Sequence, residues 1–214
     1  LRLNGSNSGF TEVKAPATAG SNTITLPTSN GSANQYLRNS STAGSLEFGS
    51  LPDTVTRATP VDFSGTSVTF TGISSSCKRV QIVIHDVSLD ANVQPRIRLG
   101  HAGSGGTFVN TGYAGTMGFV ATSTVGGSTM PTDSFAILTS GFGGAANIND
   151  SIIDICNVKN NIWVYRCISG LTSGVFTVMG GGHVDVGATL DRLTIFLSGS
   201  GNFDDGTVTI LTED

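Results

Sequence analysis

The sequence is poor in charge. Asp, Glu, Lys and Arg make up 12% of its 214 residues, half the ~25% of an ordinary globular domain. Basic residues number 11 against 15 acidic, for a net charge of −4. The basic footprint of a nucleic-acid binder is therefore missing, and nucleic acid is excluded as a partner. No apolar run approaches the ~20 residues of a membrane-spanning helix, so no helical membrane insertion is expected. Strong helix formers are scarce. No stretch of ten residues carries apolar side chains at i, i+3, i+4 and i+7 without an interrupting Gly or Pro. Cysteine is limited to Cys77, Cys156 and Cys167, an odd number. A nucleophile elbow is absent too: Gly5-Ser6-Asn7-Ser8-Gly9 has the outer glycines but Asn at its centre.

What is present is Gly, 29 residues of it, with Ser, Thr, Asn and a supply of Val, Ile and Phe. This composition reads as all-β with many turns. A mass of 21.9 kDa suits one domain, or one domain with an appendage. The first fifty residues differ from the rest. Short apolar pairs recur (Leu1 and Leu3, Phe10 and Val13, Ile24 and Leu26, Tyr36 and Leu37, Leu46 and Phe48) between Gly-Ser, Ala-Gly and Asn-Gly turn signals. Burying one such side chain yields roughly 1.5–3 kcal/mol, while ordering each backbone residue costs roughly 1–2 kcal/mol. So few side chains cannot hold residues 1–50 as an isolated monomeric domain. Because the alternation is regular, we expect a stem whose interior comes from sister chains. Leu51-Pro52-Asp53 marks a boundary, and residues 53–214 are expected to form a β-sandwich head.

About ten longer strands are expected there, including 78–87, 151–158, 162–169, 174–186 and 206–212. Alternation puts Val80, Ile82 and Ile84 on one face and Gln81, Val83 and His85 on the other. Lys159-Asn160-Asn161 reads as a hairpin turn, which sets Cys156 opposite Val164 rather than Cys167 and disfavours a disulfide. Asp204-Asp205-Gly206 reads as another turn. Free thiols suit folding in a reducing cytoplasm.

Candidate chemistry is sparse. Gly141 to Ala146 fits a loose G-x-G-x-x-A, but the required helix does not follow, so it reads as a Gly-rich loop. His183 and Asp185 share a strand face; the plainer reading is a polar surface pair, since structural metal sites want four ligands. His85 and Asp86 are adjacent, which on a strand sends them to opposite faces. Asp150 with Asp154, and Asp185 with Asp191, are the close carboxylate pairs that a polysaccharide-cleaving enzyme would need. No metal, cofactor or catalytic residue is expected.

Three passages resemble bacteriophage tail-fibre and virion fibre-tip proteins. NGSNSGFTEVKAPATAGSNTITLPTSNGSANQYL resembles a segment that precedes a C-terminal fibre domain. VTFTGISSSCKRVQIVIHDVSLDANVQPRIRLGHAGSGGTFVNTGY resembles the start of a fibre-tip domain, and GNFDDGTVTILTED its last hairpin. The resemblance covers about two thirds of the chain; residues 114–170 lie outside it. It implies a homotrimer, the C-terminal part of a tail fibre, that adsorbs the virion to a host-surface glycan of lipopolysaccharide type or to a surface protein. It also implies attachment to the rest of the tail through the N-terminal side, and assembly in the host bacterial cytoplasm. The opening at Leu1 rather than Met agrees with a C-terminal piece of a longer chain.

A glycan reader stacks sugar faces on aromatic rings. Tyr113, on the Gly-rich 100–113 loop beside His101 and Asn110, is one candidate. Trp163 and Tyr165 share a strand face and are the others, although such a face is more often core; Tyr113 has a plug at the end of the sandwich as its other reading. The expected fold is thus an intertwined, short-stranded stem followed by a jelly-roll-like sandwich, homotrimeric throughout. A virion structural or decoration protein, and a polysaccharide depolymerase, are the rival readings.

Overall fold

A computed structural model describes residues 2–4, 7–14, 16–18, 20–50, 55–103, 106–139, 146–172 and 174–214. No α-helix occurs among them, and the protein is all-β. The chain divides into two compact units, Leu1–Asp53 and Thr54–Asp214. The expected boundary at Leu51-Pro52-Asp53 and most of the 141–146 glycine loop lie outside the described residues.

The first unit has only short pairings. Strand β1 (Arg2–Asn4) pairs with β2 (Phe10–Glu12), and β3 (Gln35–Asn39) with β4 (Leu46–Ser50). Register puts Leu37 opposite Phe48 and Arg38 opposite Glu47, the latter an exposed ion pair at 2.9 Å. Three to five residues per strand place only one to three side chains on a face. Among the described residues their cover is slight: Ile24 and Leu26 are 69% and 67% exposed and Leu37 is exposed as well, while the Phe48 ring lies against Gly31.

The second unit opens with β5 (Val55–Arg57), β6 (Val61–Asp62), β7 (Ser67–Thr71) and β8 (Arg79–Leu89). Next come β9 (Pro95–His101), β10 (Thr107–Phe108), β11 (Ala114–Ala121), β12 (Val125–Thr129) and β13 (Phe135–Ala136). The long strands β14 (Asn149–Lys159), β15 (Ile162–Leu171), β16 (Phe176–Asp185), β17 (Leu190–Leu197) and β18 (Phe203–Glu213) complete it. A nine-stranded sheet runs β12-β11-β16-β15-β14-β8-β18-β5, with β6 also on β18. A five-stranded sheet runs β10-β9-β17-β7, with β13 on β9. The inner faces share one core, to which Ile82, Ile153 and Ile155 come from the larger sheet and Ile97, Leu99, Leu193 and Ile195 from the smaller. The buried core lies wholly in this unit, between Phe63 and Ile210. Two antiparallel sheets over one core make a β-sandwich.

Alternation along β8 is as the sequence implies: Val80, Ile82 and Ile84 are buried, while Gln81, Val83 and His85 face outward. The β14–β15 hairpin turns at Asn160-Asn161, with Asn160 in the left-handed region at φ 52°. Cys156 lies opposite Val164 as the turn dictates, and all three thiols are free.

Three features differ from the sequence reading. Tyr113, Trp163 and Tyr165, candidates for sugar contact, are 2%, 3% and 1% exposed, so the core reading of the Trp163–Tyr165 face holds and the contact role does not. Phe135 stacks on Tyr165 at 4.4 Å and meets Tyr113 edge-on at 4.8 Å. The Tyr113 hydroxyl accepts from Leu99 N at 2.9 Å, and the Tyr165 hydroxyl donates to the Ala136 carbonyl. Both phenols thus keep polar partners inside the core, which is why tyrosine is tolerated there. Asp204-Asp205-Gly206 is not a hairpin turn. It forms irregularities inside β18, with Gly206 at φ 107° and its N donating to Asp205 at 2.7 Å. Strands β11 and β12 were not among the expected strands. Gly115 faces Gly182 across β11–β16, where a Cβ on either would press into the partner backbone. Here glycine permits close approach of two strands rather than breaking one.

Candidate functional site

The outward face of the nine-stranded sheet carries the densest set of functional groups. One lateral row runs in register across β8, β14, β15 and β16: Val83, Ile152, Ile168 and Met179. Ile152 and Ile168 are 55% and 59% exposed, and Met179 is exposed too. Val83, Ile152 and Ile168 floor a concavity of about 620 Å³, bounded by His85 and Asp150 at one end and Asp154 and Arg166 at the other.

At the second end, Asp154 is the hub. It accepts from Arg79 Nη2 at 2.5 Å, Gln81 Nε2 at 3.1 Å and Arg166 Nε at 2.9 Å. Register places all four on neighbouring strands of the same face: Gln81 lies opposite Asp154, and Asp154 opposite Arg166. Partial burial pushes the Asp154 carboxyl upward, but these donors outweigh it and hold it below the usual carboxylate range. Glu213 lies 3.7 Å from Arg79 Nη1.

At the first end, a β-bulge sets His85 and Asp86 together against Asp150. Asp86 sits at φ 50°, which re-aims its side chain. His85 Nδ1 lies 3.0 Å from Asp150 Oδ1, and His85 Nε2 lies 3.3 Å from Asp86 Oδ2. Asp150 also accepts from Asp86 N at 2.9 Å. The expectation that His85 and Asp86 diverge is thereby corrected. With both ring nitrogens facing carboxylates, the imidazole favours its protonated form. Its pKa is raised, first by the Asp150 hydrogen bond and then by the Asp86 charge. The three groups lie within 4.8 Å of one another. A metal would need an imidazole lone pair, and would compete for it with the proton that the Asp150 and Asp86 carboxylates favour on the ring.

The remaining expected residues are dispersed. His101 ends β9 half-buried, its Nδ1 accepting from Gly103 N at 3.2 Å, and Asn110 is exposed in the loop after β10. His183 and Asp185 are exposed on β16, and Asp185 accepts from Gly187 N at 2.8 Å, a turn-forming role. Asp191 is clamped by Arg192 at 2.8 and 3.0 Å, and this hydrogen bonding lowers its pKa. A glycosidase acid needs a raised pKa; Asp154 and Asp191 are both displaced the other way.

A second cluster, which the sequence reading missed, lies beside the smaller sheet. Asp133 accepts from Arg98 Nη2 at 2.5 Å and from Arg96 Nη1 at 3.3 Å, while the Arg98 guanidinium stands 4.3 Å from the Phe196 ring centroid. The Arg96-x-Arg98 spacing on one strand was its available signal. Comparison with protein-family models, with curated proteins and with solved structures found no match.

Proposed function

We propose that this chain is the C-terminal, receptor-binding part of a bacteriophage tail fibre. In this reading residues 1–50 wind with two sister chains into a stem, and the sandwich is a jelly-roll-like head that contacts the host surface. One observation carries the reading: Ile24 and Leu26 are 69% and 67% exposed in their own chain, and Leu37 45%. A lone chain would leave these side chains in water at a cost of roughly 1 kcal/mol or more each. Sister chains remove that cost. The strand order supports the head assignment. β8 and β9 pass from one sheet to the other, as do β17 and β18, while β8 pairs with β18 and β9 with β17, as in a jelly roll.

Three shallow sites on one rigid tip exceed single-site affinity by orders of magnitude, so a loop-borne site of modest strength suffices for adsorption. Of the receptor-contact candidates, His101 and Asn110 remain accessible, and the contact is assigned to them and their loops. Free thiols agree with assembly in a reducing host cytoplasm. The test is saturable binding of labelled full-length protein to a panel of Gram-negative strains differing in lipopolysaccharide. Binding to some strains, reduced by Asn110→Ala with His101→Ala, is expected. Equal, unsaturable binding to every strain would remove the receptor role.

A further inference from the structure

The outer face of the nine-stranded sheet has two possible kinds of cover, a ligand or another protein surface, and its chemistry separates them. A glycan presents hydroxyls and needs unpaired polar groups and flat rings. The row Val83–Ile152–Ile168–Met179 is aliphatic. The polar groups beside it are already engaged: Asp154 with Arg79, Gln81 and Arg166, and His85 with Asp86 and Asp150. Its charges are also balanced at the Asp154 end, Arg79 and Arg166 standing against Asp154 and Glu213. Such a face meets a copy of itself without like-charge conflict and without stranding an unpaired ion.

We infer that this face is the surface through which the heads of sister chains pack on one another. Three copies of the aliphatic row meet around the threefold axis, and neighbouring side chains fill the concavity. The inference rests on the trimer reading and extends it from the stem to the head. Connectivity agrees: β5, the first strand after the stem unit, joins this sheet through β18. Chains already tethered through their stems see one another at an effective concentration on the order of millimolar, so a face too weak to dimerise alone stays closed in the fibre.

Cys156 is a built-in reporter, because it lies on this face opposite Val164 and Arg79, whereas Cys77 and Cys167 are buried. The experiment uses the full chain, with mass by light scattering and thiol labelling by a maleimide. The wild type is expected at three times the chain mass with Cys156 protected. Ile168→Asp, at a position open within its own chain, is expected to keep its β circular dichroism and label Cys156 at least about tenfold faster. If that variant loses its β signal, Met179→Asp serves in its place. A trimer whose Cys156 labels as fast as a free thiol, unaffected by either change, would overturn the head interface and leave the stem reading standing. A one-chain mass would overturn both.

Discussion

The two units draw on similar residues, rich in Gly, Ser and Thr with scattered apolar side chains, yet only one encloses an interior. Strand length explains much of the difference. β8, β14 and β18 have eleven residues each and β15 and β16 have ten, so each turns about five side chains inward. Two such faces cover one another. The strands of the first unit have three to five residues and no second layer among the described residues. Longer strands and a denser supply of apolar side chains thus produce a core in one unit, while short strands and sparser apolar side chains leave an open surface in the other.

The largest expected effect lies in the head. Phe135→Ala removes the middle ring of the Tyr113–Phe135–Tyr165 stack and should cost about 3–5 kcal/mol of head stability, read by denaturant unfolding. Leu26→Ala in the stem should change head unfolding by less than about 0.5 kcal/mol while lowering the dissociation midpoint of the assembly. Equal effects of the two on head unfolding would erase the distinction between the units.

Smaller effects come from the two ends of the outer face, and they have opposite pH signatures. The folded-state pKa of Asp154 is lowered. Its contribution is therefore complete above an unfolded pKa of about 4 and fades as pH falls through the lower folded value. Asp154→Asn should cost about 1 kcal/mol at neutral pH and flatten the acid limb of the stability curve. The folded-state pKa of His85 is raised. Its contribution is complete below an unfolded pKa of about 6.5 and is lost as pH rises through the higher folded value. His85→Gln should remove that small alkaline decline and leave the acid limb alone.

Much of the head was legible from its sequence because its signals are local. Asn160-Asn161 between apolar runs defined a hairpin and its register, and Val80-Ile82-Ile84 declared an inner face. The Trp163–Tyr165 face was visible as a face, but β15 is apolar on its other side too, at Ile162, Val164 and Ile168. Alternation alone does not tell which side meets the second sheet. Strands β11 and β12 were hidden because Gly115 and Gly182 act through a partner strand distant in sequence. The His85–Asp86–Asp150 cluster was hidden because a bulge, and not the regular pleat, aims it. Asp205-Gly206 carries the turn signal, yet pairing with β8 draws it into β18.

The most direct test of the stem's dependence on sister chains is the mass of the intact protein in solution at micromolar concentration, by multi-angle light scattering. Three times the 21.9 kDa chain is expected. A mass near a single chain, with the far-UV signature of the stem strands intact, would contradict it.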